Sequence, residues 1–188
     1  MLSIIVPTLD SERPLARTLA ALVPGAIDGL ISEAIVADAG SSDATAIVAD
    51  AAGCTFIAVE GRPGRRMRMA VTKARAPFLL FMRPGIVVDA NWVGEARRFV
   101  ERSSAAPCAA VFRRGTSGRA TLREVWALVA DALGALPGPD QGLIIPREFY
   151  DALGGHAEHA TDPEADLICR IGRRRLTTLG PSATKILD

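Results

Sequence analysis

The chain has 188 residues, of which 49% are hydrophobic and 23% are charged, and its formal net charge is +1. This length and composition suit one soluble domain with its own core and exclude a disordered chain. The near-zero net charge gives no electrostatic reason to expect a nucleic-acid partner.

The three cysteines, Cys54, Cys108 and Cys169, are spaced for neither a disulfide framework nor a zinc site. They predict small core residues in a reducing compartment. The amino-terminal segment lacks the charged and apolar regions of a signal peptide, and no run approaches the ~20 apolar residues that span a bilayer. We therefore expect a cytoplasmic protein, with a peripheral membrane contact left open.

The first 82 residues alternate between short β-branched runs and amphipathic segments. This alternation is typical of a parallel sheet with right-handed helical crossovers. In the second helix we expect Ser42 as the N-cap, Asp43 in the first turn and Gly53 just after the end. The predicted strands cover residues 2–7, 31–38, 54–59 and 78–82, and the predicted helices cover 13–22, 41–53 and 65–74.

After residue 82 the alternation is less regular. A turn or mobile loop is expected at residues 115–118, and a short tail follows the last strand. The predicted strands cover residues 108–114, 142–146 and 176–179, and the predicted helices cover 91–104, 121–136, 147–155 and 163–175. The apolar face of the helix at 121–136 could serve as core, as a homodimer face or as a lipid-facing surface.

Common phosphate-binding signatures are missing. The first loop has no glycine, which excludes a dinucleotide fingerprint and a methyl-donor turn, and residues 61–66 do not form a P-loop. The segment 36–45 instead delivers Asp38 at the end of a strand, followed by a turn of small residues that opens a helix. Such a turn can receive a phosphate or a polar ring, and it is equally a well-capped β-α turn.

Three loops, at residues 3–12, 35–45 and 64–82, closely resemble the amino-terminal half of family-two glycosyltransferases. Residues 138–155 resemble a small bacterial-type subgroup that carries a Gly-Asp-Gln-Gly segment. The resemblance covers roughly residues 2–178. It implies a GT-A fold, which is a single α/β domain with a mostly parallel central sheet flanked by helices. Residues 1–86 would bind a nucleotide-diphosphosugar, and residues 87–188 would face the acceptor.

The resemblance also implies roles for individual residues. Asp38 would contact the nucleobase, and Arg65 would face the diphosphate as a fixed cation. Asp140 and Gln141 match the acceptor-side signature. The residues expected to border the nucleotide sugar are Pro7, Thr8, Asp10, Glu12, Asp38, Gly40, Ser41, Gly64, Arg65 and Arg83.

Three departures from the family fall in the site, and the third replaces the Asn and Gly that usually follow the third loop with Arg68 and Ala70. Relatives end the fourth strand with an acidic motif that holds Mg²⁺ or Mn²⁺, and here that motif aligns with residues 83–85, Arg-Pro-Gly. We therefore expect no metal cofactor, because Arg83 offers no acceptor oxygen. The catalytic Glu-Asp pair of the family aligns with residues 163–164. Glu164 becomes the expected base, with Asp162 and Asp166 as alternatives, although a plain helix start capped by Asp162 explains the same residues.

Three functions are compatible with this sequence. The first is an active, metal-independent hexosyltransferase that uses a UDP- or GDP-linked sugar and an unknown hydroxyl acceptor. In it Arg83, with Arg65 or Lys185, supplies the missing charge. The second is a degenerate relative that binds a nucleotide sugar without turnover and regulates a partner. The third is a nucleotidyltransferase on the same fold, against which the glycine-free first loop argues.

Overall fold

The structure is a computed structural model, and it describes residues 1–103, 107–115 and 137–186. Strands β1 to β8 are Leu2–Thr8, Ile31–Asp38, Thr55–Ala58, Phe78–Phe81, Ile86–Val88, Ala109–Arg114, Leu143–Pro146 and Leu176–Lys185. Helices α1 to α6 are Glu12–Ile27, Thr45–Ala51, Pro63–Lys73, Trp92–Arg102, Arg147–Ala152 and Pro163–Ile171. Two short 3₁₀ turns cover Pro139–Gln141 and Arg173–Arg175.

The strands form one sheet in the order β3-β2-β1-β4-β7-β6-β8-β5. The first four positions are parallel, whereas β7 is antiparallel to both of its neighbours and β5 is antiparallel to β8. The chain leaves β1 towards β2 and returns on the other side of β1 with β4. In open α/β sheets such a reversal opens a crevice at the carboxyl ends of the strands, which is where ligands bind.

Apolar residues cover both faces of the sheet. Successive side chains of a strand point to opposite faces, so Ile4 and Val6 join a cluster with Trp92 on one face. Ile5 joins a second cluster, with Met67, on the other face. The sheet is thus a buried central layer between helices, as the sequence predicted. Within the part of the chain that the structure describes, none of the helices has the length and apolar character needed to cross a bilayer.

The carboxy-terminal segment differs most from the prediction. The expected strand 176–179 and short tail are one strand, β8, which pairs with β6 and β5. Its register shifts between Leu179 and Ser182, around Gly180 and Pro181. A bulge accommodates a proline that has no N–H for the ladder, and this is why the sequence looked like a strand end. Strand β5 was also missed, because three residues are too few for a recognisable alternation.

Helix ends account for the remaining differences. Helix α2 begins at Thr45 rather than near Ser42, and Asp43 accepts from the Thr45 N–H, so the Ser42 N-cap prediction is wrong. Gly53 follows this helix at φ 68°, as predicted. Helix α6 ends at Ile171, before the positive-φ Gly172, rather than at residue 175. The helix predicted at 121–136 lies outside the described residues.

Candidate active site

A cavity of about 430 Å³ opens where the chain reverses between β1 and β4. Its walls come from the loops that follow these two strands, from the start of α3 and from the start of α6. The described lining residues are Pro7, Ser11, Pro14, Pro63, Met67, Arg83, Pro84, Thr161, Asp162, Pro163, Glu164 and Lys185.

Asp38 ends β2 with an exposed fraction of only 2%. Its carboxylate accepts hydrogen bonds from the Thr8 hydroxyl at 2.7 Å, the Gly40 N–H at 2.8 Å and both the N–H and the hydroxyl of Ser41. Burial raises the pKa of Asp38, but these hydrogen bonds outweigh it and lower the pKa below its usual range. A carboxylate has about four lone-pair sites, so this one is saturated by its own turn.

The loops after β1 and β2 are joined to each other by hydrogen bonds. Asp10, at φ 45°, accepts from the Ser42 N–H at 2.8 Å, and its own N–H donates to the Ser41 hydroxyl at 2.8 Å. The Glu12 N–H donates to Asp43 at 2.9 Å. Asp10 and Glu12 therefore stiffen this wall, and the side chain of Glu12 is exposed.

Gly64 is required by a close approach of two backbones. A Cβ at this position would lie 2.2 Å from the carbonyl oxygen of Ala157. The next two residues of α3 point in different directions, because Arg65 is exposed whereas Arg66 is only 9% exposed. Burial lowers the pKa of Arg66, and the Asp38 carboxylate acts in the opposite direction. The Asp38 carboxylate thus acts on Arg66, whereas Arg65, expected at the diphosphate, is exposed.

Arg83 lies at the centre of an ionic cluster. Its Nε donates to Glu164, its Nη2 donates to Asp162 at 2.7 Å, and its Nη1 lies 3.8 Å from Asp140. Burial lowers the pKa of Arg83, but the Glu164 and Asp162 carboxylates outweigh it and raise the pKa. Arg83, two residues after the end of β4, therefore lines the cavity, and two carboxylates neutralise it there.

Glu164 is the buried member of the cluster, with an exposed fraction of 5%. Burial raises its pKa to about 7, although Arg83 acts in the opposite direction. Asp162 caps α6 by accepting from the Ala165 N–H at 3.1 Å, and Pro163 occupies the first turn, so the predicted helix start is confirmed. The cap and the buried carboxyl coexist, because Asp162 holds the helix start from which Glu164 lines the cavity.

Asp140 and Lys185 come from the second half of the chain: Lys185 lines the cavity, and Asp140 neighbours both Lys185 and Arg83. Asp140 is 3.4 Å from the Lys185 ammonium, and its side chain is 26% exposed. Lys185, near the end of β8, was considered from the sequence only as a helper of Arg83. Gln141, which was also expected at the acceptor side, has a structural role. Its side chain accepts a hydrogen bond from the Gly138 N–H at 2.9 Å and donates one to the Phe112 carbonyl at 2.8 Å.

Asp166 does not join the site. It forms an ion pair with Arg170 at 2.8 Å and is not among the described residues that line the cavity. Asp162 and Glu164 thus remain the carboxyls of α6 that face the cavity.

The helical periodicity of α3 could have predicted that Arg66 is buried and Arg65 is exposed. The buried Met67, Ala70 and Val71 define the inner face of α3, and residues four apart share a helix face. Arg66 stands one turn before Ala70, whereas Arg65 stands one turn before the exposed Met69.

A buried histidine lies beside Phe81, two residues before Arg83. His156 is fully buried, with its Nδ1 2.9 Å from the Tyr150 hydroxyl, and its backbone N–H donates to the same hydroxyl at 3.1 Å. A hydroxyl has one donor and two acceptor sites, so the Tyr150 hydroxyl serves either neutral tautomer of His156. Burial, followed by the nearby Arg170 charge, lowers the pKa of His156 to about 3.

The sequence model described as glycosyl transferase family 2 matches residues 3–174 of the chain. The chain belongs to this family. The resemblance of the loops and the expectation of a hexosyltransferase-type enzyme are thereby confirmed. No curated protein sequence matches the chain.

Solved structures of this fold cover the whole chain. Glucosyl-3-phosphoglycerate synthase from Mycobacterium tuberculosis, in complex with Mn²⁺, UDP and phosphoglyceric acid, has a TM-score of 0.72 at 19% identity, over 100% of this chain and 71% of that chain. The same synthase with Mg²⁺ and UDP has a TM-score of 0.71 at 19% identity, over 100% and 72%. S. aureus TarS 1-349 has a TM-score of 0.72 at 17% identity, over 98% and 60%. These likenesses confirm the GT-A fold.

The expectation of no metal cofactor is wrong. The similar synthase binds Mn²⁺ or Mg²⁺ together with UDP, which points to a divalent metal in this fold. Among the described ranges, no cluster of three or more His, Cys, Asp or Glu side chains forms a ready-made metal cage. A nucleotide-bound Mg²⁺ needs only one or two carboxylates besides phosphates and waters. Asp140 fits that requirement, since its contacts of 3.4 Å and 3.8 Å are the longest in the ionic cluster.

Proposed function

We propose that the chain transfers a hexosyl unit from a UDP-linked sugar to a hydroxyl acceptor. The observation that carries this proposal is the position of Glu164. It is a buried carboxyl that lines the cavity beyond the carboxyl ends of β1 and β4, and burial raises its pKa to about 7. A general base is most effective when its pKa lies near the working pH. We assign Glu164 the proton of the acceptor hydroxyl.

Arg83 prepares Glu164 for this role. Its Nε holds one oxygen of Glu164, so that the carboxyl has a fixed orientation towards the cavity. Its positive charge also keeps the Glu164 pKa from rising further in a buried position. Arg83 is therefore a positioning residue for the base.

A divalent cation belongs to this proposal, with Asp140 as its protein ligand. The bound metal would supply positive charge to the leaving diphosphate. Asp162 is less suitable, because it is committed both to Arg83 and to the cap of α6.

The nucleobase is assigned to the wall between Asp38 and Arg66. Uracil presents one N–H donor and carbonyl acceptors, which match a carboxylate and a guanidinium. Asp38 is saturated, but two of its donors are the hydroxyls of Thr8 and Ser41, which can rotate away and leave an oxygen for the ring N–H. A nucleobase at this position therefore requires only a rotation of these two hydroxyls and no change of the backbone.

The test measures release of UDP from UDP-glucose in the presence of Mn²⁺, with a panel of hydroxyl acceptors that includes phosphoglyceric acid. We expect transfer with at least one acceptor and a loss of about 10²–10⁴-fold in Glu164→Gln. Glu148→Gln makes the same chemical change on the exposed surface of α5 and should keep full activity. Nucleotide binding without transfer to any acceptor would leave a binding module as the better description.

A further inference from the structure

Lys185 is held at the cavity by the end of the long strand β8. It pairs with Ile86 of β5, and the next residue, Ile186, donates its N–H to the Gly85 carbonyl at 2.9 Å. The position of Lys185 is therefore fixed by backbone pairing on the turn that follows Arg83. A strand holds a functional side chain more rigidly than a loose tail does.

Lys185 and Arg83 differ in how far their charges are already neutralised. Arg83 forms short contacts with Asp162 and Glu164. Lys185 has one carboxylate neighbour, Asp140, at 3.4 Å and 3.5 Å from its two oxygens, and its side chain is 47% exposed. No other hydrogen-bond acceptor of Lys185 is found among the described residues. Since an ammonium has three donors, most of its capacity faces the cavity.

The chemistry of the cavity indicates what Lys185 would bind. Asp140 repels a diphosphate unless a divalent cation lies between them, and a phosphate drawn there meets the ammonium that already neighbours Asp140. Phosphate oxygens are strong acceptors, and hydrogen bonds between charged groups are shorter and stronger than neutral ones. A sugar hydroxyl could accept a hydrogen bond from this ammonium but would not balance its charge, as a phosphate does.

We propose that Lys185 binds the diphosphate of the nucleotide sugar and stabilises the leaving UDP, beside the cation held by Asp140. This inference rests on the proposed function, because it requires a diphosphate in the cavity. It assigns the carboxy-terminal strand a direct part in donor binding. Arg83 keeps its role of positioning the general base Glu164.

The lysine content allows a direct test, since Lys73 and Lys185 are the only lysines in the sequence. Reductive ¹³C-methylation keeps the charge of both and gives each an NMR signal. Lys73, exposed at the far end of α3, is the internal control. In Mg²⁺, we expect UDP to shift the Lys185 signal and leave Lys73 unmoved, whereas uridine, which has no phosphate, moves neither.

Variants give the matching affinities by calorimetry. Lys185→Gln should weaken UDP binding about tenfold or more and leave uridine binding unchanged. Lys185→Arg should restore binding to within about threefold, and Lys73→Gln should match the wild type. A shift of Lys185 by uridine equal to that by UDP, or equal UDP affinity in Lys185→Gln, overturns the inference and leaves the proposed function intact. If the wild-type protein binds neither ligand, both fail.

Discussion

Two buried carboxyls lie in opposite electrostatic surroundings: Asp38 is hydrogen-bonded to the loop after β1, which forms one wall of the cavity, and Glu164 lines the cavity at the start of α6. On the β1–β2 side, Asp38 is buried but receives four hydrogen bonds, and its pKa is lowered. On the α6 side, Glu164 is equally buried but has Arg83 as its main partner, and its pKa is raised to about 7. Two buried carboxyls in one site are thus held in different protonation regimes by their surroundings. The saturated wall is suited to holding a ligand and the under-satisfied wall to moving a proton.

Arg83→Ala should have the largest effect, because it removes the cation from the under-satisfied wall. Breaking a buried ion pair by removing one partner costs ~3 kcal/mol, and we expect a loss of that order in the free energy of unfolding by urea at pH 7. The Glu164 pKa should rise, so the rising limb of any pH–rate profile moves to higher pH. Arg83→Lys should recover part of both. An unchanged profile in Arg83→Ala would show that the guanidinium does not act on the base.

Gly64→Ala tests the contact between the two walls. The added Cβ would meet the Ala157 carbonyl oxygen at 2.2 Å, so the start of α3 must move away from the loop before α6. Overpacking of this kind costs ~2 kcal/mol. Gly94→Ala is the matched control in α4, where nothing lies within 4 Å of a new Cβ. It should stabilise the protein by roughly 0.5–1 kcal/mol, and equal effects of both substitutions would contradict the contact.

Asp38→Asn tests the saturated wall. The amide can keep one oxygen for the N–H groups of Gly40 and Ser41, but its NH₂ then replaces the oxygen that accepts from the Thr8 and Ser41 hydroxyls. The loss of these charge-assisted hydrogen bonds should lower the free energy of unfolding by ~1–2 kcal/mol and weaken uridine binding in calorimetry. Asp50→Asn, on the exposed side of α2, is the control and should change neither. Normal stability in Asp38→Asn would mean that the turn does not depend on the carboxylate.

The pH dependence of stability should show two opposing slopes. The raised pKa of Glu164 contributes stability that is complete below its unfolded value near 4.5 and is lost as the pH rises to about 7. The lowered pKa of His156 contributes stability that is complete above 6.5 and is lost as the pH falls to about 3. Between about pH 4.5 and 6.5 the two effects oppose each other, so urea titrations of the wild type should change little there. Over the same range, stability should rise with pH in Glu164→Gln and fall with pH in His156→Phe. Equal slopes in the two variants would contradict the assignment.

Most of the fold was predictable because it depends on local patterns. The first four strands and their helices follow from β-branched runs and helical spacing, and the capped start of α6 follows from residues 162–164. Strand β8 was not predictable in full, since Gly180 and Pro181 lie inside it and their bulge is set by pairing with β6.

The site was predictable in residue type and less so in partners. Arg83 and Glu164 line the cavity, and Asp140 lies beside Arg83. That Arg83 would form an ion pair with Glu164, 81 positions away, depends on the topology that brings β4 and α6 together. The hydrogen bonds of Gln141 to Gly138 and Phe112 likewise depend on the topology, and no local pattern predicts them.

The account rests on a nucleotide diphosphate and a divalent cation that bind together beside Asp140. Calorimetric titration of the purified protein with UDP, in Mn²⁺ and again in EDTA, measures this directly. We expect binding that weakens about tenfold or more without the metal, and loss of that metal dependence in Asp140→Asn with the Asp151→Asn control unaffected. Equal UDP affinity with and without Mn²⁺, or no binding of UDP in either condition, would contradict the account.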